Sequence, residues 1–227
     1  MREEIEAVNR RIQTAAERCG RDAAGIRLVA VSKTQNADTV KEAIEAGATI
    51  LGENYIQEAR DKIDALMDYP VSWHFIGHLQ TNKAKVAVKL FDLIHSVDSF
   101  KLALELDRQA ARINKIQEVL IQANMGNEPS KSGVSPPEVS DLVREVSRLE
   151  NVSVAGLMTM PPFFNDPEGA RPYFSALRRM GEQISRLTIP NVTMGEISMG
   201  MTGDFEVAIE EGATLVRVGT AVFGERQ

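Results

Sequence analysis

Ile26-Arg27-Leu28-Val29-Ala30-Val31-Ser32-Lys33 is a short apolar run that ends in a serine and a lysine. Its length and its branched apolar side chains predict a buried β-strand. Seven similar runs follow along the chain, and stretches with helical periodicity separate them. Strands that alternate with helices form right-handed βαβ units and hence a parallel sheet.

Eight predicted strands define the fold class. They cover residues 26–32, 49–53, 72–77, 92–97, 117–124, 152–158, 193–198 and 214–219. The helical stretches cover residues 37–46, 56–67, 81–89, 99–114, 136–149, 167–187 and 204–211. Eight such units predict a closed (β/α)8 barrel of the TIM type, as a single domain over residues 1–227.

Residues 3–19 predict an extra amphipathic helix before the first strand. Cys19 lies at the end of its apolar stripe, which predicts a buried and unreactive thiol. Glu45-Ala46-Gly47-Ala48-Thr49 and Glu210-Glu211-Gly212-Ala213-Thr214 share a pattern in which glycine is predicted to end a helix. The alternative fold is an open doubly wound sheet, which usually has a glycine-rich turn where this chain has Ser32-Lys33-Thr34.

Composition limits the classes of function. The chain has 26 Lys and Arg residues against 32 Asp and Glu residues, and the net charge of −6 argues against a nucleic-acid partner. No apolar stretch approaches the roughly 20 residues that cross a bilayer, and the charged N-terminus is unlike a secretory signal. A single cysteine excludes an internal disulfide framework and fits a reducing compartment. We therefore expect a cytoplasmic protein without a membrane partner.

Candidate binding residues fall at the predicted C-terminal ends of the strands, which form the functional face of such a barrel. Phosphates favour the loops after strands seven and eight, and Asp204 is predicted to cap the helix that follows strand seven. The candidates are Lys33 after strand one, Asn54 after strand two, Ser198 and Gly200 at strand seven, and Arg217, Gly219 and Thr220 at strand eight.

Lys33 suggests the chemistry of the site. Desolvation at the end of a buried strand lowers the pKa of a lysine and frees its amine as a nucleophile. The two late turns offer small residues and backbone N–H groups, which suit a phosphate. Together these features suggest pyridoxal 5′-phosphate (PLP). A lysine that closes a strand is also commonly a solvated edge residue, so both interpretations stay open.

Arg217 interrupts the apolar run Leu215-Val216-Arg217-Val218, so its charge is expected to point into the barrel and to need a partner. A pyridine nitrogen would be one such partner. A carboxylate, such as that of Glu53 or Glu196, is the alternative.

The three histidines, His74, His78 and His95, lack the spacing that is typical of a zinc site. For His74 and His78 we predict packed or hydrogen-bonded roles. We therefore expect no metal site.

Several motifs make the chain recognisable. It resembles the pyridoxal phosphate homeostasis protein family, which is similar to the N-terminal barrel domain of alanine racemase. The segments that carry the resemblance are Val29-Ala30-Val31-Ser32-Lys33-Thr34, Gly52-Glu53-Asn54-Tyr55, Trp73-His74-Phe75-Ile76-Gly77-His78-Leu79-Gln80-Thr81-Asn82-Lys83, Ser198-Met199-Gly200-Met201 and Arg217-Val218-Gly219-Thr220.

The resemblance implies a role for each candidate residue. Lys33 would form an aldimine with PLP, Arg217 would face the pyridine nitrogen, and Asn54 would lie near the cofactor. The phosphate would be held by Ser198, Gly200, Gly219 and Thr220. Members of the family are mostly monomers that buffer and deliver PLP and affect amino-acid and keto-acid balance, and no catalytic reaction is well established for them.

Both a carrier and an enzyme are compatible with PLP binding. An arginine cannot accept a proton from the pyridine ring, which weakens the ring as an electron sink. A racemase also needs a second acid–base group opposite Lys33. In alanine racemase a separate β-domain of the neighbouring subunit supplies that group as a tyrosine. We expect no such domain here, because the eight units use the chain up to Gln227.

None of the tyrosines, Tyr55, Tyr69 and Tyr173, is predicted to lie opposite Lys33. We therefore expect a PLP-binding protein without catalytic residues, which delivers PLP to apo PLP-dependent enzymes. A racemase-like amino-acid enzyme is the first alternative. A Schiff-base aldolase that binds a phosphorylated sugar is the second.

Overall fold

Eight parallel strands close into a barrel in the computed structural model of the protein, which describes residues 1–126, 128 and 131–225. Each strand pairs with the next one in chain order, and the first strand pairs with the last. This topology confirms the predicted (β/α)8 barrel and excludes the open doubly wound sheet. Residues 226 and 227 of the predicted domain lie outside the described residues.

The strands of the barrel agree with the predicted strands to within two residues at each end. They are β1 Arg27–Val31, β2 Ile50–Glu53, β3 Ser72–Phe75, β4 Leu93–Val97, β5 Gln117–Ala123, β6 Val152–Thr159, β7 Val192–Ser198 and β8 Leu215–Val218.

Helices cover the outside of the barrel. They are α1 Arg2–Arg18, α2 Ala37–Glu45, α3 Ile56–Ala65, α4 Ala84–Leu90, α5 Phe100–Ala111, α6 Val139–Val146, α7 Arg171–Ser185, α8 Phe205–Glu210 and α9 Thr220–Phe223. Short 3-10 segments precede β1, α4, α6 and α7 at Ala23–Gly25, Thr81–Lys83, Pro136–Glu138 and Pro167–Ala170. None of the helices in the described part of the chain is long and apolar enough to span a membrane.

The N-terminal helix is confirmed, and it packs on α8 and α9. Its apolar stripe includes Ile5, Val8 and Ile12, which are buried, and Arg11 stacks over Phe205 at 4.4 Å from the ring centroid. The prediction for Cys19 is wrong, because its side chain is exposed. The helix ends at Arg18, so the helical periodicity no longer decides which way the next residue points.

Two apolar clusters stabilise the barrel. The larger one lies between the strands and the surrounding helices. The smaller one lies inside the barrel and consists of Val29, Ile50, Leu93, Leu120, Ala155, Met158 and Leu215, which come from six of the strands. Filling the interior with side chains is typical of this fold, whose interior is a packed core. The space for a ligand is therefore left at the ends of the strands.

Glycines end two helices as predicted. Gly47 and Gly212 follow α2 and α8 with φ angles of +108° and +105°, a conformation that residues with a Cβ rarely adopt. A third glycine, Gly156, is needed for a different reason. A Cβ on Gly156 would overlap the backbone carbonyl of Glu196 on the neighbouring strand β7. The register of β6 against its neighbours shifts at this point, so the two backbones approach closely.

We predict that Gly156→Ala destabilises the barrel by about 2–4 kcal/mol, because the strands must separate to accept the added methyl group. Urea denaturation would measure the change. Gly195→Ala is the matched control on β7, since a Cβ at Gly195 meets nothing within 4 Å. Equal stabilities of the two variants would contradict the prediction.

Candidate ligand-binding site

A cavity of about 790 Å³ opens at the C-terminal ends of the strands. Five of the seven predicted site residues line it: Lys33, Asn54, Arg217, Gly219 and Thr220. They come from the ends of three strands, β1, β2 and β8, which the closed barrel brings to one mouth. Further lining residues come from the loops after β3, β5 and β6, among them His78, Lys131 and Phe164.

The other two predicted site residues, Ser198 and Gly200, are not among the described residues that line the cavity. Ser198 is fully buried at the end of β7, and its hydroxyl lies 2.9 Å from His95 Nδ1. Gly200 is packed against Phe205 at the start of α8, and its carbonyl accepts a hydrogen bond of 3.0 Å from the Arg217 N–H. Both residues therefore lie behind the wall of the cavity, and their contact with a phosphate stays a prediction.

Arg217 is 3% exposed and is one of the residues that line the cavity. It donates hydrogen bonds to the Ser198 hydroxyl at 2.5 Å and to the Thr159 carbonyl at 2.9 Å. Burial lowers the pKa of Arg217 to about 10, and the nearby Asp204 opposes this shift. Even with this lowered pKa, the guanidinium carries its charge at neutral pH.

Neither carboxylate considered from the sequence is the partner of Arg217. Glu196 pairs with Arg27, and Glu53 pairs with the buried Lys62 at 2.7 Å. Glu53 itself is fully buried, and burial raises the pKa of its carboxyl group against the opposing effect of Lys62. Lys62, on the outer helix α3, is therefore the partner of Glu53, one of the two carboxylates that the sequence pattern suggested for Arg217.

A chain of buried polar groups leads away from Arg217. His95 lies 2.9 Å from the Ser198 hydroxyl through Nδ1 and 3.0 Å from His74 Nδ1 through Nε2. Because a guanidinium only donates, Ser198 accepts from Arg217 and can donate to His95. If Ser198 donates to His95 Nδ1, a neutral His95 carries its proton on Nε2 and donates to His74.

Burial keeps both histidines neutral. It lowers the pKa of His74 to about 4 and the pKa of His95 well below its usual value of 6.5. The prediction that His74 is packed and hydrogen-bonded is therefore confirmed. His78, by contrast, lies on the cavity wall, where its Nδ1 is 3.1 Å from the Ser132 hydroxyl.

Asn54 follows β2 and presents an unsatisfied group. Its Oδ1 atom is buried and has no hydrogen-bond partner in the protein. The backbone of Asn54 lies against Gly77, where any Cβ would overlap its carbonyl group. This close contact fixes the residue, and the amide oxygen remains available to a donor from a ligand.

The loops after β7 and β8 meet at two hydroxyl groups. Thr202 and Thr220 both line the cavity, with their hydroxyl oxygens 3.3 Å apart. Thr220 begins α9, whose first N–H groups have no partner within the helix. The sequence analysis missed both Thr202 and this short helix, although a Thr two residues after Gly200 in the predicted phosphate turn was a visible signal.

Asp204 lies on the same wall of the cavity. It directly precedes α8 as predicted, but its side chain does not cap the helix and instead accepts a bond of 2.6 Å from the Met201 N–H. Burial raises the pKa of Asp204, and the hydrogen bond from the Met201 N–H opposes this shift.

Comparison with known proteins defines the class. The family model of the alanine racemase N-terminal domain matches residues 4–227. The pyridoxal phosphate homeostasis protein of Aquifex aeolicus strain VF5 is 45% identical over 225 residues, which cover 99% of this chain and 98% of that protein. The protein of the same name from Escherichia coli strain K12 is 40% identical over 96% of this chain and 94% of its own length. The chain belongs to the pyridoxal phosphate homeostasis protein family, which confirms the resemblance seen in its motifs.

Solved structures agree with this assignment. The PipY protein of Synechococcus elongatus PCC7942, solved with PLP bound, is 35% identical with a TM-score of 0.82, and the match covers 94% of this chain and all of that one. The alanine racemase of Clostridium difficile 630, in complex with cycloserine, is 13% identical with a TM-score of 0.71. That match covers 96% of this chain but 59% of the racemase chain, and it shows a shared fold alone.

The two buried histidines predict how stability depends on pH. As the pH falls from 6.5 to about 4, His74 and His95 bind protons in the unfolded chain but stay neutral in the folded protein. The free energy of unfolding therefore falls over this pH range. His74→Asn keeps an acceptor for His95 but removes one such group. We expect the slope of the free energy of unfolding against pH to decrease by at most about 1.4 kcal/mol per pH unit in this variant.

Urea denaturation at several pH values would measure both slopes. The comparison must be between variants, because the raised pKa values of Glu53 and Asp204 change stability in the opposite direction over an overlapping pH range. Identical slopes for the wild type and His74→Asn would contradict the prediction.

Proposed function

We propose that this protein binds PLP in the cavity, holds it covalently through Lys33 and so buffers and delivers it within the cell. One observation carries this proposal: five of the seven residues that the family resemblance assigned to PLP, from the ends of three separate strands, line one cavity. The membership in a family named for PLP homeostasis, and the PLP bound to the related PipY protein, support it.

The chemical groups of the cavity fit this ligand. Asn54 presents a buried amide oxygen without a partner, and Arg217 presents a buried cation. The hydroxyls of Thr202 and Thr220 meet where a phosphate is expected in a barrel of this type. A cavity of about 790 Å³ also exceeds what a molecule of this size needs, which leaves room for a second, incoming amine.

Lys33 would act as the nucleophile. PLP supplies a reactive aldehyde on an electron-withdrawing ring. The amine of Lys33 would bond to the aldehyde carbon, and the aldehyde oxygen would leave as one molecule of water. Release would reverse this step, either with water or with an amine that takes the place of Lys33 Nζ.

For the phosphate we propose backbone N–H groups of the two late turns, with Gly219 and Thr220 on the wall of the cavity. Thr202 is a better candidate for direct contact than Ser198, because the Ser198 hydroxyl is buried between His95 and Arg217. We propose that Ser198 acts indirectly, by fixing the guanidinium of Arg217 toward the pyridine ring. Gly200 would have an equally indirect role through its bond to the Arg217 backbone.

Two features favour a carrier over an amino-acid enzyme. Arg217 is always a donor and cannot accept a proton from the pyridine ring, so a ring nitrogen that faces it would stay neutral and the ring would be a weaker electron sink. Among the described residues that line the cavity, none is a tyrosine that faces Lys33 as a second acid–base group. We further propose a cytoplasmic monomer of one domain that passes PLP to apo PLP-dependent enzymes; the single cysteine fits the reducing conditions of that compartment.

We predict that the PLP-loaded protein does not interconvert amino-acid enantiomers. The assay would incubate it with single enantiomers and follow the optical form by chiral chromatography. Turnover at about 1 s⁻¹ or faster, which is typical of enzymes, would establish the racemase alternative instead.

We predict that Lys33→Ala folds normally but loses the covalent adduct with PLP. Borohydride reduction of the loaded protein, followed by peptide mass mapping, would identify the modified residue and the mass of the ligand. Lys131→Ala is the matched control, because Lys131 is a second lysine of the cavity wall and is bonded to the Pro161 carbonyl at 2.9 Å. An adduct that persists in Lys33→Ala, or that disappears in Lys131→Ala, would move the assignment away from Lys33.

A further inference from the structure

Lys33 lies in a strained turn. Lys33 and Thr34 are the central residues of a turn that the Gln35 N–H closes with a hydrogen bond of 3.1 Å to the Ser32 carbonyl. Thr34 has a φ angle of +67°, which β-branched residues avoid. Turns that need a positive φ at this position usually have Gly or Asn there. The turn therefore needs contacts from outside to keep its shape.

Helix α3 supplies these contacts on both sides of Lys33. Glu58 Oε2 accepts a hydrogen bond of 2.9 Å from the Thr34 N–H. Lys62 Nζ donates a hydrogen bond of 2.6 Å to the Ser32 carbonyl. The two side chains are one helical turn apart, with 3.9 Å between Lys62 Nζ and Glu58 Oε2. One helix thus holds the peptide groups before and after the lysine.

The contact from Lys62 is anchored in the protein interior. Lys62 is 5% exposed, and Glu53 Oε1 accepts hydrogen bonds from Lys62 Nζ at 2.7 Å and from the Ser32 hydroxyl at 2.6 Å. Moving Lys62 would leave a buried carboxylate without its counter-charge, which is strongly unfavourable. This network joins β1, β2 and α3 directly behind Lys33.

We propose that Glu58 and Lys62 are positioning residues for Lys33, which hold the flanking peptide groups so that the strained turn presents Lys33 Nζ to an aldehyde in the cavity. The inference rests on the proposed function, because that function gives Lys33 its aldehyde. Neither Glu58 nor Lys62 lines the described cavity wall, so both act through the backbone of the turn.

The decisive variant is Glu58→Ala. The Glu58 side chain is 39% exposed, so its removal leaves no buried charge unpaired. Glu58→Gln restores an acceptor oxygen without the charge. Asp64→Ala is the matched control, because it removes a carboxylate from the exposed face of the same helix, where Asp64 pairs with Arg60.

Two readouts separate positioning from stability alone. Hydrogen exchange of the Thr34 amide, measured by NMR on the ligand-free protein, reports the bond to Glu58 without any PLP. The rate of PLP capture at Lys33, measured by borohydride quenching and peptide mass mapping, reports the reactivity of the amine.

We expect Glu58→Ala to speed exchange of the Thr34 amide and to slow capture at Lys33 by about tenfold, the factor that corresponds to about 1.4 kcal/mol. Glu58→Gln should recover most of the rate, and Asp64→Ala should match the wild type. Glycine adopts positive φ freely, so Glu58→Ala should slow capture much less in a Thr34→Gly background.

Lys62 is tested in the double variant Glu53→Gln/Lys62→Met, which removes both buried charges together. We expect slower capture of PLP at Lys33 in this variant as well. Capture by Glu58→Ala at the wild-type rate would overturn the inference while leaving the proposed function intact. The inference would also be overturned if Glu58→Ala slowed capture equally in the wild-type background and in the Thr34→Gly background. A wild-type adduct on a residue other than Lys33 would overturn both.

Discussion

A guanidinium buried inside the barrel is the constraint on which the rest of the site depends. Arg217 comes from the middle of an apolar strand, so the protein has to satisfy its charge internally. It does so with the Thr159 carbonyl and with a polar chain through Ser198, His95 and His74. Since arginine only donates, the Ser198 hydroxyl and the Thr159 carbonyl both accept from it, while burial keeps both histidines neutral. Arg217 is therefore held by hydrogen bonds from within the protein where it lines the cavity.

A second buried cation has the same effect on the neighbouring wall. Lys62, on an outer helix, donates hydrogen bonds to Glu53 and to the Ser32 carbonyl. Ser32 lies between β1 and Lys33, at the start of the turn that contains this lysine. Such pairs contribute little net stability, because desolvation of the charges offsets their attraction. Their benefit is geometric, since a bonded charge in a low-dielectric interior has few alternative positions. The peptide group that precedes Lys33 is thus bonded to a side chain outside its own turn.

Strand ends were predictable from the sequence, and side-chain partners were not. Lys33 and Asn54 were found because an apolar run shows where a strand ends, and a barrel gathers those ends at one mouth. The partners of Arg217 were missed because they come from β6 and β7, far along the chain, and because Lys62 already neutralises Glu53. The burial of Ser198 was not predicted, since strand position does not reveal how far a side chain lies below the surface.

The sequence by itself determined the barrel, the order of its strands and the residues available at its mouth, because hydrophobic periodicity and glycine positions act locally. It also determined the family through motifs spread along the whole chain. Only the tertiary structure decided which polar groups pair inside the barrel, that Cys19 is exposed and that Thr34 keeps a strained turn beside Lys33. These features depend on contacts between segments that are distant in sequence, and burial, which sets their energies, exists only once the chain has folded.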